Sequence, residues 1–416
     1  MDCIRCKGRV DSRFACGRDF CPVYARSEAM FRAADLVQKK EFQGTSPSVF
    51  VGRYGYPNVN VGILSPVERA ADAWVYDAPR HWAKSSFSIR QVVELRSSLV
   101  NSRFKAEVRS SGRNLALAQE IALASKPVDV DVKLHRKPEP RLVFSPVNLP
   151  MGPSAPLRKV DLAGSPKIDA KVERVFSDTD MKSVEAMNVL YGSGMTENSI
   201  SGMLSVGAMG LGKSRRLVPT RWSITATDDQ LARMLLRDVR TYNHAGYQLF
   251  HGSMYGNYYF IMFFPDVWGY ELFEGYLPRS LWNNHRSVAF VSDCEGYRGR
   301  TAYAENTSGG YYAARLPIVE KLCEMRKQAS VLVIRFVTDE YSCPLGVFVC
   351  REAVRKSMGD GAVKFGSKDE MLSYARKLIS GMFSYDIGQV LSQSVLLREM
   401  RLQAKLSAFS PEPDPD

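Results

Sequence analysis

The sequence predicts an α+β protein, mixed α/β in its second half: an N-terminal cysteine module, then a two-part body with a mixed sheet flanked by helices. Hydrophobic residues form 45% and charged residues 24% of the 416-residue chain, a balance typical of globular proteins that bury a core. The chain is longer than one ordinary domain. Helix-spaced and strand-spaced apolar patterns alternate through its second half. Half of its eight cysteines fall within the first 21 residues.

The cysteine module, which we place at residues 1–24, comes first. It contains Cys3, Cys6, Cys16 and Cys21, whose spacing is that of two zinc-binding turns. Four thiolates close the shell of a zinc ion, so we expect a structural rather than a catalytic metal. A module this short has no core of its own, and metal binding would supply its folding energy. Unliganded thiols and a redox or iron–sulfur role are the alternatives.

A basic N-terminal domain is expected at residues 25–137. Apolar residues at helical spacing over 29–37 predict its first helix. Apolar and basic residues alternate over 90–126 and predict one or two helices that Pro127 ends. Strict alternation over 128–134 then predicts a strand.

Seven prolines at 138–166 indicate an extended connector without regular structure, and we place the domain boundary there. A mixed α/β C-terminal domain is expected at 167–400. Its predicted helices span 180–191, 228–242, 310–328 and 367–380. Its predicted strands span 246–251, 257–264, 287–292, 331–337 and 345–350. Gly256 with Asn257 predicts a turn between two of these strands, and Ser367 followed by Glu370 predicts a capping box that opens a helix. The final segment, 401–416, is a tail rich in proline and acid.

The charge of the chain indicates a polyanionic partner. The net charge is +12 and the pI is near 9.2. The densest cationic run, which contains no acid, comprises Lys213, Arg215, Arg216 and Arg221. We predict that these side chains contact the phosphates of DNA, and a solvated basic turn is the alternative.

The same run includes a formal match to the phosphate-binding P-loop, from Gly207 through Gly212 and Lys213 to Ser214. A P-loop follows a buried strand and opens a helix. Here a stretch rich in Gly and Ser precedes the match, and Pro219 follows five residues after it. We therefore disfavour nucleotide binding at this segment.

The tail contains the pattern of a peptide that docks on the DNA sliding clamp (PCNA). The pattern comprises Gln403, Leu406, Phe409 and Ser410. Leu406 and Phe409 would lie on one side of a 3₁₀ turn and enter an apolar pocket, while the Gln403 amide forms a hydrogen bond beside it. Ser410 stands where a second aromatic residue is usual, which weakens the expected contact. The alternative is an ordinary helix end.

An enzymatic function is the main alternative to DNA binding. The order His251, Tyr303 and then Glu340 or Glu352 resembles the site of ADP-ribosyltransferases, in which His and Tyr hold the nicotinamide cofactor and Glu orients the ribose. A nucleotide-cofactor enzyme of this type, or of P-loop type, would act on DNA or protein. RNA binding is a third hypothesis. The sequence assigns no catalytic residue.

The sequence also predicts where the protein acts. No run approaches the roughly 18 apolar residues that a membrane span requires, and the first residues lack the apolar stretch of a signal peptide. We therefore expect a cytoplasmic protein without a membrane partner.

Four passages together resemble the archaeal Nre family of DNA repair proteins. They are the cysteine module, GPSAP at 152–156, KSRRLVPTRWSITATDD at 213–229 and SDCEGYRGRTAYAENTSGGYYAARLPIVE at 292–320. The resemblance covers nearly the whole chain. It implies a role in the repair of damaged DNA, a zinc-binding N-terminus at the four cysteines and a clamp-interacting peptide from Gln403 to Ser410. Family members commonly finish with two adjacent aromatic residues, and Ser410 departs from that pattern.

Overall fold

A computed structural model describes residues 21–37, 40–140, 150–283 and 285–402. These ranges contain thirteen α-helices and twelve strands, and the strands form two mixed six-stranded sheets. The predicted α+β class is therefore confirmed for the body. None of the described helices combines the length and apolarity needed to cross a membrane.

The first part of the chain builds the first sheet. Its elements are α1 (Pro22–Leu36), β1 (Glu41–Ser46), β2 (Ser48–Val51), β3 (Asn58–Ser65), α2 (Pro79–Lys84), α3 (Ile89–Ser98), β4 (Val100–Glu107), α4 (Arg113–Leu123), β5 (Val128–Leu134) and β6 (Ser154–Leu162). The strand order is β1-β5-β6-β4-β3-β2, and only β4 and β6 pair in parallel. In β5 every second residue is buried, as the alternating pattern predicted.

The expectation that 138–166 lacks regular structure is wrong for residues 154–162. These residues form β6, which lies between β5 and β4 within the first sheet. Pro156 is tolerated there because the pairing with β5 shifts register at Leu134, and proline is found at such irregularities. The amide of His135 still donates to the carbonyl oxygen of Pro156 (3.0 Å).

The helical prediction for 90–126 is right at both ends and wrong in the middle. Helices α3 and α4 lie there as expected, but β4 separates them. Arg103 and Lys105 gave β4 a basic, amphipathic pattern that resembled a helix. Its pairing with β3 is continuous from Val100 to Glu107.

The second part of the chain builds the second sheet. Its elements are α5 (Ala170–Ser177), α6 (Ser183–Gly192), α7 (Glu197–Ser205), α8 (Thr220–Val239), β7 (Tyr247–Met254), β8 (Asn257–Phe264), β9 (Gly269–Tyr276), β10 (Ala289–Glu295), α9 (Ser308–Met325), β11 (Ser330–Val337), α10 (Phe348–Ser357), β12 (Val363–Phe365), α11 (Lys368–Phe383), α12 (Gly388–Gln393) and α13 (Val395–Leu402). The strand order is β10-β9-β11-β8-β7-β12.

Helices cover both faces of the second sheet. One face, which carries Tyr270, Leu272 and Val333, packs with α9 and α10 in a core continuous with that of the first sheet. The other face, which carries Phe273 and Ile334, packs under α11, α12 and α13 in a separate core. The two cores follow from the alternation of side chains along each strand.

Two local predictions in this part are confirmed in part. The turn predicted at Gly256 and Asn257 lies one residue earlier, at Tyr255 and Gly256 between β7 and β8, and both residues have positive φ (52° and 72°). The Ser367 hydroxyl accepts the backbone N–H of Glu370 and caps α11, as predicted. The Glu370 carboxylate accepts the N–H of Gly366 rather than that of Ser367, so the capping box is incomplete.

One predicted strand is wrong, and one observed strand was missed. Residues 345–350 were expected to form a strand, but α10 begins at Phe348. Strand β9 was not predicted, because it is buried on both faces and therefore shows no alternation. Its interior also contains Glu271 and Glu274, which interrupt the apolar run that indicates a buried strand.

Glu271 joins the last helix to the sheet. Its side chain is buried, and its carboxylate accepts backbone N–H groups of Val395 (3.0 Å) and Leu396 (3.1 Å) together with the Ser394 hydroxyl. A carboxylate at a helix N-terminus satisfies free N–H groups and complements the helix dipole. The contact fixes where α13 begins.

Candidate nucleic-acid interface

Two sites predicted from the sequence, the N-terminal zinc site and the C-terminal clamp peptide, lie almost entirely outside the described residues. Cys21 is described, and it stands half-buried directly before α1. Cys3, Cys6, Cys16 and the peptide from Gln403 to Ser410 are not among the described residues. Within the described ranges no group of three or more His, Cys, Asp or Glu side chains could hold a metal ion. Zinc and clamp binding stay predictions.

The basic run before α8 divides into one internal arginine and three exposed cations. The Arg215 guanidinium donates to the carbonyl oxygens of Gly210 (2.8 Å), Phe176 (2.7 Å) and Asp178 (2.7 Å). These bonds tie the segment before α8 to the end of α5. Lys213, Arg216 and Arg221 are exposed, and their side chains have no partner within the described parts of the chain.

Backbone hydrogen bonds bring three distant segments together beside this run. The N–H of Val108 donates to the carbonyl oxygen of Pro57 (3.0 Å), and the N–H of Leu217 donates to that of Val108 (2.8 Å). In addition, the N–H of Val51 donates to the hydroxyl of Thr220 at the start of α8 (2.9 Å). The β2–β3 turn, the end of β4 and the start of α8 thus share one surface.

Exposed aromatic rings and arginines alternate on this surface. The rings of Tyr56 and Trp222 meet at 5.4 Å, yet both side chains remain nearly half exposed, at 45% and 46%. Tyr54 projects beside them, with the Arg53 guanidinium 5.1 Å from its ring. We call the set comprising Tyr54, Tyr56, Trp222, Arg53, Arg109, Arg216 and Arg221 the Trp222 surface. Within the described residues, the side chains of Arg109, Arg216 and Arg221 are unpaired.

A stripe along α8 extends the Trp222 surface. At about 100° of rotation per residue, Asp229, Arg233 and Arg240 lie within about 20° of Trp222 on the helix circumference. Asp229 is neutralised by ion pairs with Arg233 and Arg315. The stripe therefore presents an aromatic ring at one end and cationic side chains toward the other.

The loop that follows β10 lies beside the second half of this stripe. The guanidinium of Arg233 donates to the carbonyl oxygen of Arg300 (2.9 Å), and that of Arg240 lies 5.1 Å from the ring of Tyr297. Tyr303 in the same loop stacks on Tyr312 at 5.4 Å. Tyr297 and Tyr303 are 46% and 49% exposed, so each ring rests on the protein on one side and is open on the other.

A network of buried ion pairs attaches the inner side of α8 to the rest of the protein. Asp228, next to Asp229, binds Arg351 of α10 (2.9 Å). Arg315 of α9, which binds Asp229, also binds Glu295 of β10 (2.6 Å). Adjacent aspartates therefore anchor α8 to two different helices. Charged pairs in a low-dielectric interior enforce geometry, because separating one partner leaves an uncompensated charge.

Glu197 of α7 is a junction of this network. Its carboxylate accepts hydrogen bonds from Arg80 of α2 and from Arg351 and Arg355 of α10. Burial raises the pKa of Glu197, but the three guanidinium groups lower it by more, and its pKa lies well below the ordinary value of a glutamate. The ionised side chain links α2, α7 and α10.

The residues of the enzymatic alternative are not brought together. His251 lies on β7, where it is exposed and stacks on Phe260, whereas Tyr303 follows β10. Three strands separate β7 from β10, which corresponds to about 19 Å at the usual strand spacing. Glu340 accepts a hydrogen bond from Tyr258, and Glu352 pairs with Arg355. The four side chains do not form one pocket.

The P-loop match also lacks the required surroundings. Helix α7, not a strand, precedes Gly207, and a short 3₁₀ turn (Gly212–Ser214) stands where a P-loop would open its helix. The N–H of Gly212 already donates to the carbonyl oxygen of Thr179 (2.8 Å). The structure agrees with the sequence in disfavouring a phosphate cradle here.

The sequence could have indicated the aromatic part of the surface. Tyr54 and Tyr56 occur in the segment RYGYPN, whose Gly, Pro and Asn predict a turn. An aromatic residue in a turn has no strand or helix face to bury it. Trp222 gave no such indication, because it lies in the first turn of α8 and the sequence pattern predicted that helix only from residue 228.

Known proteins resemble this chain over most of its length. The N-terminal model of archaeal Nre matches residues 15–283, and the C-terminal model matches residues 295–409. The chain is 35% identical to the DNA repair protein NreB of Archaeoglobus fulgidus over 402 residues, 96% of this chain and 98% of the relative. It is 40% identical to the DNA repair protein NreA of Haloferax volcanii, over 76% of this chain and 77% of the relative.

A third relative, the DNA repair protein NreA of Archaeoglobus fulgidus, is 38% identical over 91% of this chain and 93% of its own length. No solved structure matches the chain at a significant level. The two long passages that carry the resemblance, 213–229 and 292–320, meet in the structure where Asp229 binds Arg315. The two family models and the three relatives agree, and the chain belongs to the archaeal Nre family.

Proposed function

We propose that this protein acts in DNA repair and binds DNA through the Trp222 surface. The observation that carries the proposal is the set of exposed aromatic rings and unpaired arginines that three distant segments bring together. Half or more of protein–DNA hydrogen bonds go to phosphate and sugar, and arginine is a principal donor. The relatives, which are named DNA repair proteins, support the same role.

Arg216 and Arg221 would contact phosphates, and Lys213 stands next to them. Arg215 would act differently, since its donors already bind three carbonyl oxygens. It would hold Lys213 and Arg216 in position and would not meet the DNA itself.

We also propose a function for each end of the chain, zinc binding at the N-terminus and clamp binding at the C-terminus. Cys3, Cys6, Cys16 and Cys21 would hold one structural zinc ion, because four thiolates are a preferred zinc donor set and Cys21 leads directly into α1. Gln403, Leu406, Phe409 and Ser410 would dock on the sliding clamp and recruit the protein to DNA. The cytoplasm is where we expect the protein to act.

Salt-dependent DNA binding tests the proposal. Replacing both Arg216 and Arg221 by Ala should weaken binding and lower the slope of log K against log salt by about two, because each lost phosphate contact releases about one counterion fewer. The control is the Lys364→Ala, Lys377→Ala variant, which removes the same charge from β12 and α11, across the second sheet. Fluorescence anisotropy with labelled DNA measures the affinity of each variant. Salt concentrations of about 50–200 mM are suitable, because affinity should fall steeply over that range.

If the Arg216→Ala, Arg221→Ala variant and the control variant bind equally, the Trp222 surface does not hold DNA. Circular dichroism of each variant verifies that the fold is kept.

A further inference from the structure

We propose that the nucleic acid held at this site is single-stranded DNA, whose bases stack on a track of aromatic rings along α8. This inference rests on the proposed function, since it specifies the form of DNA that the same site takes. The track begins at Tyr56 and Trp222 and continues past Tyr303 to Tyr297. Arginines accompany it along its length.

The geometry of α8 makes the track straight. Trp222 and Arg240 lie on the same side of the helix and are 18 residues apart, which corresponds to about 27 Å. At the C-terminal end of α8, the guanidinium of Arg240 lies against the ring of Tyr297. Arg315, which binds Asp229 of α8, lies 5.6 Å from the ring of Tyr312, and Tyr303 stacks on that ring. Tyr303 therefore lies beside Asp229, between the two ends. The rings thus follow one line beside a single helix.

Each ring is backed by the protein and open to the outside. Trp222 packs against Tyr56, Tyr303 packs against Tyr312, and Tyr297 packs against Arg240. A ring held on one side loses little conformational freedom when a base covers its other side. Stacking on such a ring is favourable for any base, because every base has a π-face.

Duplex DNA would not use these rings. In a duplex the faces of the bases are already stacked on one another, and a protein meets base edges and phosphates. In a single strand the faces are free. Unpaired arginines at the edge of the track, Arg221, Arg237 and Arg298, supply the charge that a single strand requires.

The length of the track sets the size of the site. At a stacked rise of about 3.4 Å per nucleotide, 27 Å accommodates about eight nucleotides. Affinity should therefore rise with the length of an oligonucleotide up to about eight residues and change little beyond it.

The test compares oligothymidylates of 4, 8 and 16 nucleotides with a 16-base-pair duplex at one salt concentration, on the full chain. We expect the single strands of about eight nucleotides or more to bind more tightly than the duplex. Trp222→Ala and Tyr303→Ala should each reduce single-strand affinity by about tenfold, within the range known for base stacking. Trp222→Phe should retain most of the affinity but lose fluorescence quenching by the DNA.

Matched controls exist for both substitutions. Trp74 is as exposed as Trp222, at 44%, but lies away from the track against His81, and Trp74→Ala should bind as the parent does. Tyr374→Ala on α11 is the corresponding control for Tyr303. Equal binding by the Trp222→Ala and Trp74→Ala variants would overturn the inference.

Tighter binding of the duplex, or of an oligouridylate of the same length, would also overturn it. These outcomes differ from a failure of the proposed function. If the arginine variant loses affinity while the aromatic variants keep it, the surface holds DNA by its backbone and only stacking is excluded. If no nucleic acid binds, both proposals fail.

Discussion

Three arginines converge on the single carboxylate of Glu197, whose side chain is only 2% exposed. A charge in this position is stable only while its partners stay in place, because water cannot replace them. The same three arginines are thereby kept from repelling one another. Glu197 thus controls the contact of α7 with α2 and α10.

Replacing Glu197 by Gln should destabilise the fold by about 3 kcal/mol or more, since it leaves buried guanidinium groups with less compensating charge. Urea unfolding followed by circular dichroism measures the change. Glu94→Gln provides the control, because it breaks the exposed Arg90–Glu94 pair and should leave stability almost unchanged. Equal stability of the two variants would mean that Glu197 is dispensable.

The stabilisation by Glu197 also has a defined pH dependence. Its folded-state pKa is depressed, so its contribution is complete above the ordinary glutamate pKa of about 4.3 and is lost as the pH falls below that value. The stability difference between parent and Glu197→Gln should therefore shrink between pH 5 and pH 3. A constant difference over that range would contradict the ionised state described here.

The sequence locates the basic run but does not show that its arginines differ in role. Arg215 and Arg216 are neighbours of the same type, yet one binds three carbonyl oxygens and the other faces outward. The difference depends on α5, which lies about forty residues away in the sequence. No local pattern contains that information.

Amphipathic periodicity predicted the helices and strands that are buried on one face and missed the strand that is buried on both faces. Helix α1 and strand β5 each show one apolar face and were predicted. Strand β9 is enclosed between two layers of helices, and its glutamates are satisfied by partners remote in sequence. Strand β6 was missed because its proline indicated a segment without regular structure. In both cases tertiary contacts override the local preference.

The C-terminal peptide is an element whose role can be measured separately. A peptide of residues 400–416 should bind the clamp of the same organism with a dissociation constant of about 1 µM, since ordering a free segment lowers its affinity. Phe409→Ala should weaken binding about 30-fold or more, and Ser410→Phe should strengthen it, because these side chains supply the apolar contact. Isothermal titration calorimetry distinguishes the three peptides. Identical binding by parent and Phe409→Ala would show that the motif is an ordinary helix end.

The zinc module and the body should fold as independent units. Replacing Cys6 by Ser should release one zinc ion per chain and unfold residues 1–24, because metal binding supplies the folding energy of so short a segment. The two sheets should retain their cooperative unfolding, since extensive apolar cores lie between them and the helices that cover them.

Elemental analysis of protein purified without chelator, before and after the substitution, measures the metal. Thermal unfolding of both proteins provides the comparison for the body. Absence of zinc from the parent, or collapse of the body in the variant, would contradict the prediction.

The attachment of α13 by Glu271 also determines how two partners could be held at once. Helix α13 packs under one face of the second sheet, whereas α8 lies beyond α9 on the other side. A clamp bound by residues after Leu402 would therefore leave the α8 track free for DNA. The protein could then bind the clamp and DNA at the same time and link them. In such a complex each contact raises the effective concentration of the other, which can increase overall avidity by about 10²–10⁴ without any new interaction. A micromolar tail, although weak by itself, would then be sufficient to retain the protein at a clamp-loaded strand.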